Sequence, residues 1–284
     1  RGRPEPAGHR SPQLIAQRRA EGAANRLRAY IRESRDFTCS AVVRVTVSKQ
    51  FHPLSDGMKY PEVRNHVPGS PGREKLDYLD VCNPGDGPVI SRVPMSSRDD
   101  VDRAVQVAQA AFPAWSSLPI KERVQVFYRY RALLERDMDE LAALITEENG
   151  KVAPEARAEI FKAMELTEFA CSLPQITAGE VLEVSRGVEC RIERFPLGVV
   201  ASITPFNFPN MVPNWTMPNA IALGNCMILK PSELVPLSAV RIAELLRDAG
   251  LPDGVFNIVN GGQQTVEAIC DHPDIEAITF VGST

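Results

Sequence analysis

The chain has 284 residues, 44% hydrophobic and 24% charged, which is enough apolar material for a sizeable core and a length of one or two domains. Its formal net charge of −4 supplies no basic field, so a nucleic-acid backbone is not the expected partner. No stretch holds the roughly 18 uninterrupted apolar residues of a membrane span; the most apolar region is broken by Pro205, Asn207 and Pro209.

Residues 1–35 contain nine arginines and no lysine, the composition of an organellar transit peptide diluted by Glu5, Glu21 and Glu33. Residues 52–73, rich in Pro, Gly and polar side chains, read as a linker or disorder. Residues 1–75 as a whole are therefore expected to be disordered or to serve targeting.

From Leu76 the pattern is orderly. Ser and Asp capping candidates precede Val101, Val105, Ala108 and Phe112, whose spacing predicts one apolar helix face. Helices are expected over about 121–136, with Val124, Phe127, Leu133 and Leu134 inward, and over about 139–148 and 154–172. The run 180–196 alternates about Arg186-Gly187 and reads as a β-hairpin. Such a ribbon suits either pairing with another subunit or a plain structural role.

After Pro196, strands and helices alternate: LGVVASI, then MVPNWTMPNAIALG, CMILK, PLSAVRIAELLRDAG, VFNIV, a helix over about 264–271, and AITFVGST. In the helix of PLSAVRIAELLRDAG, Leu237, Val240, Ala243, Leu245 and Leu246 are expected inward, with Gly250 past its end. Alternation of this kind predicts a parallel sheet with helices packed on it. Three parts are expected within 76–284: a helical part over 76–178, the hairpin over 179–195, and a Rossmann-type core over 196–284.

In open parallel sheets ligands bind outside the carboxyl ends of the strands. Those ends are Thr204-Pro205-Phe206-Asn207, Lys230-Pro231-Ser232-Glu233, Asn260-Gly261-Gly262 and Gly282-Ser283-Thr284. A lysine and an acid suit ribose hydroxyls, the acid accepting their hydrogen bonds. A carboxylate there favours NAD over NADP unless Lys230 compensates. Gly and Ser elsewhere let backbone approach a pyrophosphate. No G-x-G-x-x-G is present, so the standard dinucleotide motif is missing.

The six cysteines are widely spaced, without a C-x-x-C pair, and the four histidines are scattered; neither a metal site nor a disulfide framework is expected. Cys226, heading an apolar run, reads as a small buried hydrophobe.

The segments PLGVVASITPFNFPNMVPNW, GNCMILKPSE, AGLPDGVFNIVNG and FVGST, in this order and spacing, resemble the NAD-dependent aldehyde dehydrogenase superfamily. Phe206 before the Asn, with ELAALITEENGKVAPEARAEI and ELTEFACSLP, is similar to its CoA-acylating methylmalonate-semialdehyde dehydrogenase branch. The resemblance covers about 76–284. It implies an α/β fold of aldehyde-dehydrogenase type that ends before the catalytic domain, and oxidation of a (methyl)malonate semialdehyde to an acyl-CoA with decarboxylation, using NAD and coenzyme A. It also implies a homo-oligomer and, with the arginine-rich start, the mitochondrial matrix, the cytoplasm being the alternative compartment.

Carried over residue by residue, the resemblance makes Asn207 the oxyanion donor and puts Thr204 and Phe206 on the nicotinamide side. Lys230 and Glu233 fall at the adenosine ribose, with Leu234 where the acylating branch often has Arg, and Gly282 and Ser283 fall near the pyrophosphate. Lys162 stands where an Arg that grips the substrate carboxylate is expected; lysine keeps the charge and loses the bidentate fork. The family's nucleophilic cysteine lies downstream of FVGST, so none of the six cysteines is promoted to that role, and the chain by itself is expected to be inactive. An acid-forming aldehyde dehydrogenase and a non-catalytic dinucleotide-binding protein remain the alternatives.

Overall fold

The computed structural model describes residues 58–69 and 76–282, all within one contact unit, Asp56–Ser283. The arginine-rich start, Ser283 and Thr284 lie outside the described residues.

The chain enters through an antiparallel hairpin, β1 (Tyr78–Cys82) and β2 (Val89–Pro94), followed by four helices: α1 (Arg98–Ser116), α2 (Ile120–Arg136), α3 (Met138–Asn149) and α4 (Ala153–Ile176). A second hairpin, β3 (Glu180–Ser185) and β4 (Val188–Ile192), turns at Arg186-Gly187 as the sequence pattern predicts. The remainder alternates β5 (Val199–Ile203), α5 (Met211–Ala222), β6 (Cys226–Lys230), α6 (Leu237–Asp248), β7 (Phe256–Ile258), α7 (Gln263–Asp271) and β8 (Ala277–Phe280). The predicted parallel sheet is present, in the order β7-β6-β5-β8.

That order locates the binding edge. Successive strands β5, β6 and β7 are laid down in one direction, and β8 returns to the far side of β5. The boundary between β5 and β8 is thus the point where the winding reverses and a crevice opens at the carboxyl ends. Every residue of β5 and β6 is buried, as central strands covered on both faces require.

Local chemistry explains the helices that frame this edge. Asp100, in the first turn of α1, accepts from the backbone N–H of Ser97 at 2.8 Å, satisfying a group that the helix leaves orphaned. Its face buries Val101, Ala104, Val105 and Ala108, while the predicted inward residue Phe112 is only half-buried. Trp115 continues the buried side, donating its indole N–H to the Ile221 carbonyl at 2.9 Å. Helix α3 stops at Gly150, whose φ of +82° only glycine adopts without strain, and a Cβ there would lie 2.9 Å from the ring of Pro84.

Several features depart from the sequence reading. The hairpin β1–β2 was not foreseen. Residues 58–69, expected as linker or disorder, are instead tied in on both sides: Tyr60 and Val63 donate to the carbonyls of Ile90 and Arg92, and His66 exchanges backbone bonds with Ile258 at 3.0 Å each way. Val63 joins Val81, Ile90, Val93, Leu144 and Leu237 in a small second core. Extended backbone rich in Pro looks like linker in isolation; here its polar groups are paired by strands distant in sequence. Inside α2, Leu133 is only half-buried, whereas Val126 and Tyr130 are buried; in α6, Val240 is half-buried and Ile242 is buried.

Candidate functional site at the carboxyl edge of the sheet

Thr204 and Lys230 end adjacent strands, and their backbones remain paired, the Thr204 N–H donating to the Lys230 carbonyl at 3.1 Å. On the other side of β5, Val281 donates to the Ile203 carbonyl at 3.1 Å, which brings Gly282 to the same edge. The ends of β5, β6 and β8 therefore converge as expected. Ser283 lies outside the described residues.

Thr204 is buried, whereas Phe206 and Asn207 are exposed at the edge. The loop carrying them is held from outside. Asn149, the last residue of α3, donates its side-chain amide to the Phe206 carbonyl at 2.8 Å. Glu159 of α4 accepts from the N–H groups of Asn210 and Met211 at 2.8 and 3.0 Å with one oxygen, and its other oxygen pairs with Lys151. The Lys151 ammonium stands 3.7 Å from the centroid of the Phe208 ring. Behind it Asn214 donates to the Asn210 carbonyl at 2.8 Å and accepts from the Tyr130 hydroxyl at 3.1 Å.

Lys230 is 3% exposed. Its ammonium bridges two loops, donating to the Gly261 carbonyl and, at 3.3 Å, to Glu233 Oε2. Burial lowers its pKa, and the Glu233 carboxylate opposes that shift. An ammonium has three donors, so one is left. Glu233 is half-exposed and keeps its second oxygen clear of Lys230, and Leu234 is exposed. At Gly261 φ is +150°, and a Cβ would fall 2.0 Å from Thr265 Oγ1. No larger residue fits between this loop and α7.

The loop after β7 is fixed by the segment read as linker. Asn65 Oδ1 accepts the Asn260 N–H at 2.8 Å, and Asn65 Nδ2 donates to Ser96 Oγ at 2.7 Å. Lys162 is exposed on α4 and ion-paired with Glu165, three residues on; no hydrogen bond or ion pair joins it to these strand-end groups.

Sequence reasoning missed Asn65, Glu148, Asn149, Lys151 and Glu159. The carboxylate of Glu148 accepts from the N–H groups of Leu237 and Ser238, at the start of the helix that follows the Lys230–Leu234 loop. A signal existed for two of them: Glu148 shares the buried spacing of Leu141 and Ile145, and Glu159 that of Ala156, Ile160 and Ala163.

None of the cysteines at this sheet acts as an exposed nucleophile. Cys226, at the opposite end of β6, is fully buried, and burial pushes its thiol up to about 12. Among the described residues no cluster of His, Cys, Asp and Glu could hold a metal ion, and no helix is long and apolar enough to cross a membrane.

Comparison with known proteins agrees with this architecture. Residues 72–284 match the aldehyde dehydrogenase family. Malonate-semialdehyde dehydrogenase 2 of Geobacillus thermodenitrificans (strain NG80-2) is 47% identical over 218 residues, covering 76% of this chain and 44% of that protein. The enzyme of the same name from Bacillus mycoides (strain KBAB4) is 49% identical over 205 residues, covering 72% and 42%. Among solved structures, methylmalonate-semialdehyde dehydrogenase (DddC) from Oceanimonas doudoroffii superposes with a TM-score of 0.75 at 41% identity, covering 77% of this chain and 45% of that one. PnpE in complex with nicotinamide adenine dinucleotide has a TM-score of 0.69 at 36% identity, covering 71% of this chain and 42% of that one. The chain thus spans under half the length of the curated relatives it matches. With three quarters of its residues matched to that family and the same parallel sheet at its centre, the chain belongs to the aldehyde dehydrogenase family.

Proposed function

We propose that this chain provides the dinucleotide-binding edge of an NAD-dependent malonate- or methylmalonate-semialdehyde dehydrogenase that transfers the acyl product to coenzyme A. The observation that carries the reading is the convergence of Thr204–Asn207, Lys230–Glu233 and Gly282 at the winding reversal of the sheet. Identity of 47–49% to malonate-semialdehyde dehydrogenases supports the substrate class.

The residues present fit a dinucleotide. Glu233 has an oxygen free to accept from a ribose hydroxyl, and Lys230 has one donor left for the same group. Leu234 offers apolar cover alongside. Gly282 presents exposed backbone without a Cβ, the form a pyrophosphate requires, with Ser283 beside it in sequence. Thr204 and Phe206 border the nicotinamide end. NAD supplies the hydride acceptor.

Asn207 stabilises the oxyanion that forms when a thiolate adds to the aldehyde carbonyl. Its amide is a donor that can be aimed in advance, and donors of this kind are worth about 100-fold or more in rate. Lys162 attracts the carboxylate of the semialdehyde as a point charge, tempered by Glu165. The ribbon β3–β4, whose Val181, Leu182, Val184, Val188 and Ile192 are all exposed, is the surface through which copies would associate.

The test is an assay of the full-length protein bearing these residues with malonate and methylmalonate semialdehydes and NAD, with and without coenzyme A. Acyl-CoA formed only when coenzyme A is present supports the reading. Free acid formed regardless of coenzyme A makes it an acid-forming aldehyde dehydrogenase. NAD binding with no turnover of any aldehyde makes it a binding protein.

A further inference from the structure

Asn207 is exposed, and no hydrogen bond ties its side chain to another described residue. Nothing on the amide itself fixes where it points. Pro205 and Pro209 each lock one φ angle, yet they leave the loop free to shift as a unit against the sheet. Its position must come from anchors on either side.

Both anchors are on the structure. Upstream, the bond from Asn149 Nδ2 to the Phe206 carbonyl, at 2.8 Å, fixes the peptide immediately before Asn207. Asn149 is itself rigidly carried, as the final residue of α3 before the Gly150 cap. Downstream, Glu159 Oε1 gathers the N–H groups of Asn210 and Met211, the entry to α5. Glu159 is 2% exposed, and its remaining oxygen is held by Lys151, whose ammonium also covers the Phe208 ring. The four residues Phe206, Phe208, Asn210 and Met211, which flank Asn207, are thus all touched by Asn149, Lys151 or Glu159.

We propose that Asn149 and Glu159 are positioning residues for Asn207, with Lys151 holding Glu159 in place. The proposal rests on the reading of Asn207 as the oxyanion donor. Their contribution is to set the amide before the aldehyde arrives. Because a donor must lie within about 0.5 Å of its productive place, a shift of about 1 Å costs on the order of 100-fold. No atom of either residue need touch substrate.

The experiment compares kcat, and the dissociation constant for NAD, among variants of the full-length enzyme: Asn207→Ala as reference, Asn149→Ala, Asn149→Asp and Glu159→Gln. Asn149→Ala is expected to lower kcat by about tenfold or more while NAD affinity stays within about twofold, since only the transition-state interaction is displaced. Asn149→Asp keeps the shape of the side chain and removes the donor, so it should be as slow as the alanine variant. Glu159→Gln turns an amide toward Lys151 and should lower kcat in the same direction.

A normal kcat for Asn149→Asp would reduce Asn149 to a space-filling role and overturn the proposal, as would normal kcat values for both Asn149→Ala and Glu159→Gln in an enzyme that Asn207→Ala cripples. Equal losses in kcat and NAD affinity would also overturn it, as signs of general disorder at the sheet edge. If Asn207→Ala leaves kcat unchanged, the failure lies with the oxyanion assignment itself, and the anchors then position nothing that catalysis uses.

Discussion

Glu148 Oε2 lies 2.7 Å from the backbone nitrogen of Leu237, 89 positions later in the chain, and its other oxygen takes the next N–H, that of Ser238, at 2.9 Å. The contact closes the start of α6 with a carboxylate from the end of α3, a favourable place for negative charge. Burial acts against it more strongly, and it is the main reason the Glu148 carboxyl is pushed up to about 7; bonds from Ser238 and Leu237 resist the shift, and the charge of Glu159 adds to it. A carboxyl raised in the fold is easier to ionise in the unfolded chain. Its contribution is therefore complete below the ordinary value of 4.5 and is lost as pH rises through about 7. The loss is about 1.4 kcal/mol for each pH unit in that window. Glu148→Gln keeps an acceptor and removes the titration, so urea denaturation from pH 5 to 7 should show the wild type losing stability relative to the variant. Parallel curves would mean that Glu148 does not titrate there.

A second buried charge, on α2, ties together the end of α1, the turn that follows it and the end of α5. The Arg123 guanidinium donates to the carbonyls of Ala222 at 2.9 Å, Ser116 at 3.1 Å, and Leu118. Gly224, with φ of +99°, lets it approach, since a Cβ there would lie 3.2 Å from Arg123 Cζ. Replacing it by Met leaves three carbonyls without their donor, and such charged bonds are worth about 1.5 to 3 kcal/mol each before relaxation and water entry. Arg123→Met is expected to cost roughly 3 kcal/mol in urea unfolding, with Arg123→Lys intermediate because one ammonium cannot reach all three. A variant as stable as wild type would show that the three carbonyls are readily hydrated.

Sequence periodicity made the parallel sheet legible, because the buried runs of β5 and β6 and the amphipathic α6 declare themselves locally. The rule that ligands bind at carboxyl strand ends singled out the edge that carries Thr204, Asn207, Lys230 and Glu233, and the structure brings those strand ends together. It did not show that Lys230 faces inward onto the Gly261 carbonyl, because that bond joins loops 31 residues apart. Nor did it show the anchoring charges. Arg123, Glu148 and Glu159 occupy core spacings in their helices, but periodicity treats a charge as solvent-facing, and each of the three is satisfied in part by backbone from a remote segment. The same reason hid residues 58–69: the partner of His66 is Ile258, and composition says nothing of partners.

The cysteines offer a test of burial that needs no catalysis. Cys190 is exposed on the β3–β4 ribbon, whereas Cys171 and Cys226 are buried, with thiols raised by burial to about 11 and about 12. Since the thiolate is the reactive form, labelling at pH 8 should leave Cys171 and Cys226 unmodified until denaturant is added, while Cys190 is modified in every copy whose ribbon is not covered by another. Peptide mapping of the labelled chain reads the order directly. Rapid native labelling of Cys226 would place β6 at an accessible edge, contrary to the sheet order.

Cofactor choice follows from how Lys230 is spent. On the proposed reading a 2′-phosphate on the adenosine ribose would meet the Glu233 carboxylate, and a lysine able to swing out could neutralise it. Lys230 can bring no more than its one remaining donor: it is 3% exposed, and swinging it out would release both the Gly261 carbonyl and Glu233. Leu234, the exposed neighbour, offers no donor in its place. Like charges about 4 Å apart at a protein surface repel by a few kcal/mol. Calorimetric titration of the full-length protein is therefore expected to show NADP bound about 100-fold more weakly than NAD. Glu233→Gln should narrow that gap to about tenfold or less, mainly by strengthening NADP, because the repulsion goes while a ribose acceptor stays. Raising salt should narrow the wild-type gap in the same direction. Equal affinities in the wild type would mean that the ribose does not sit against Glu233, and the assignment of this strand end to the adenosine half would fall.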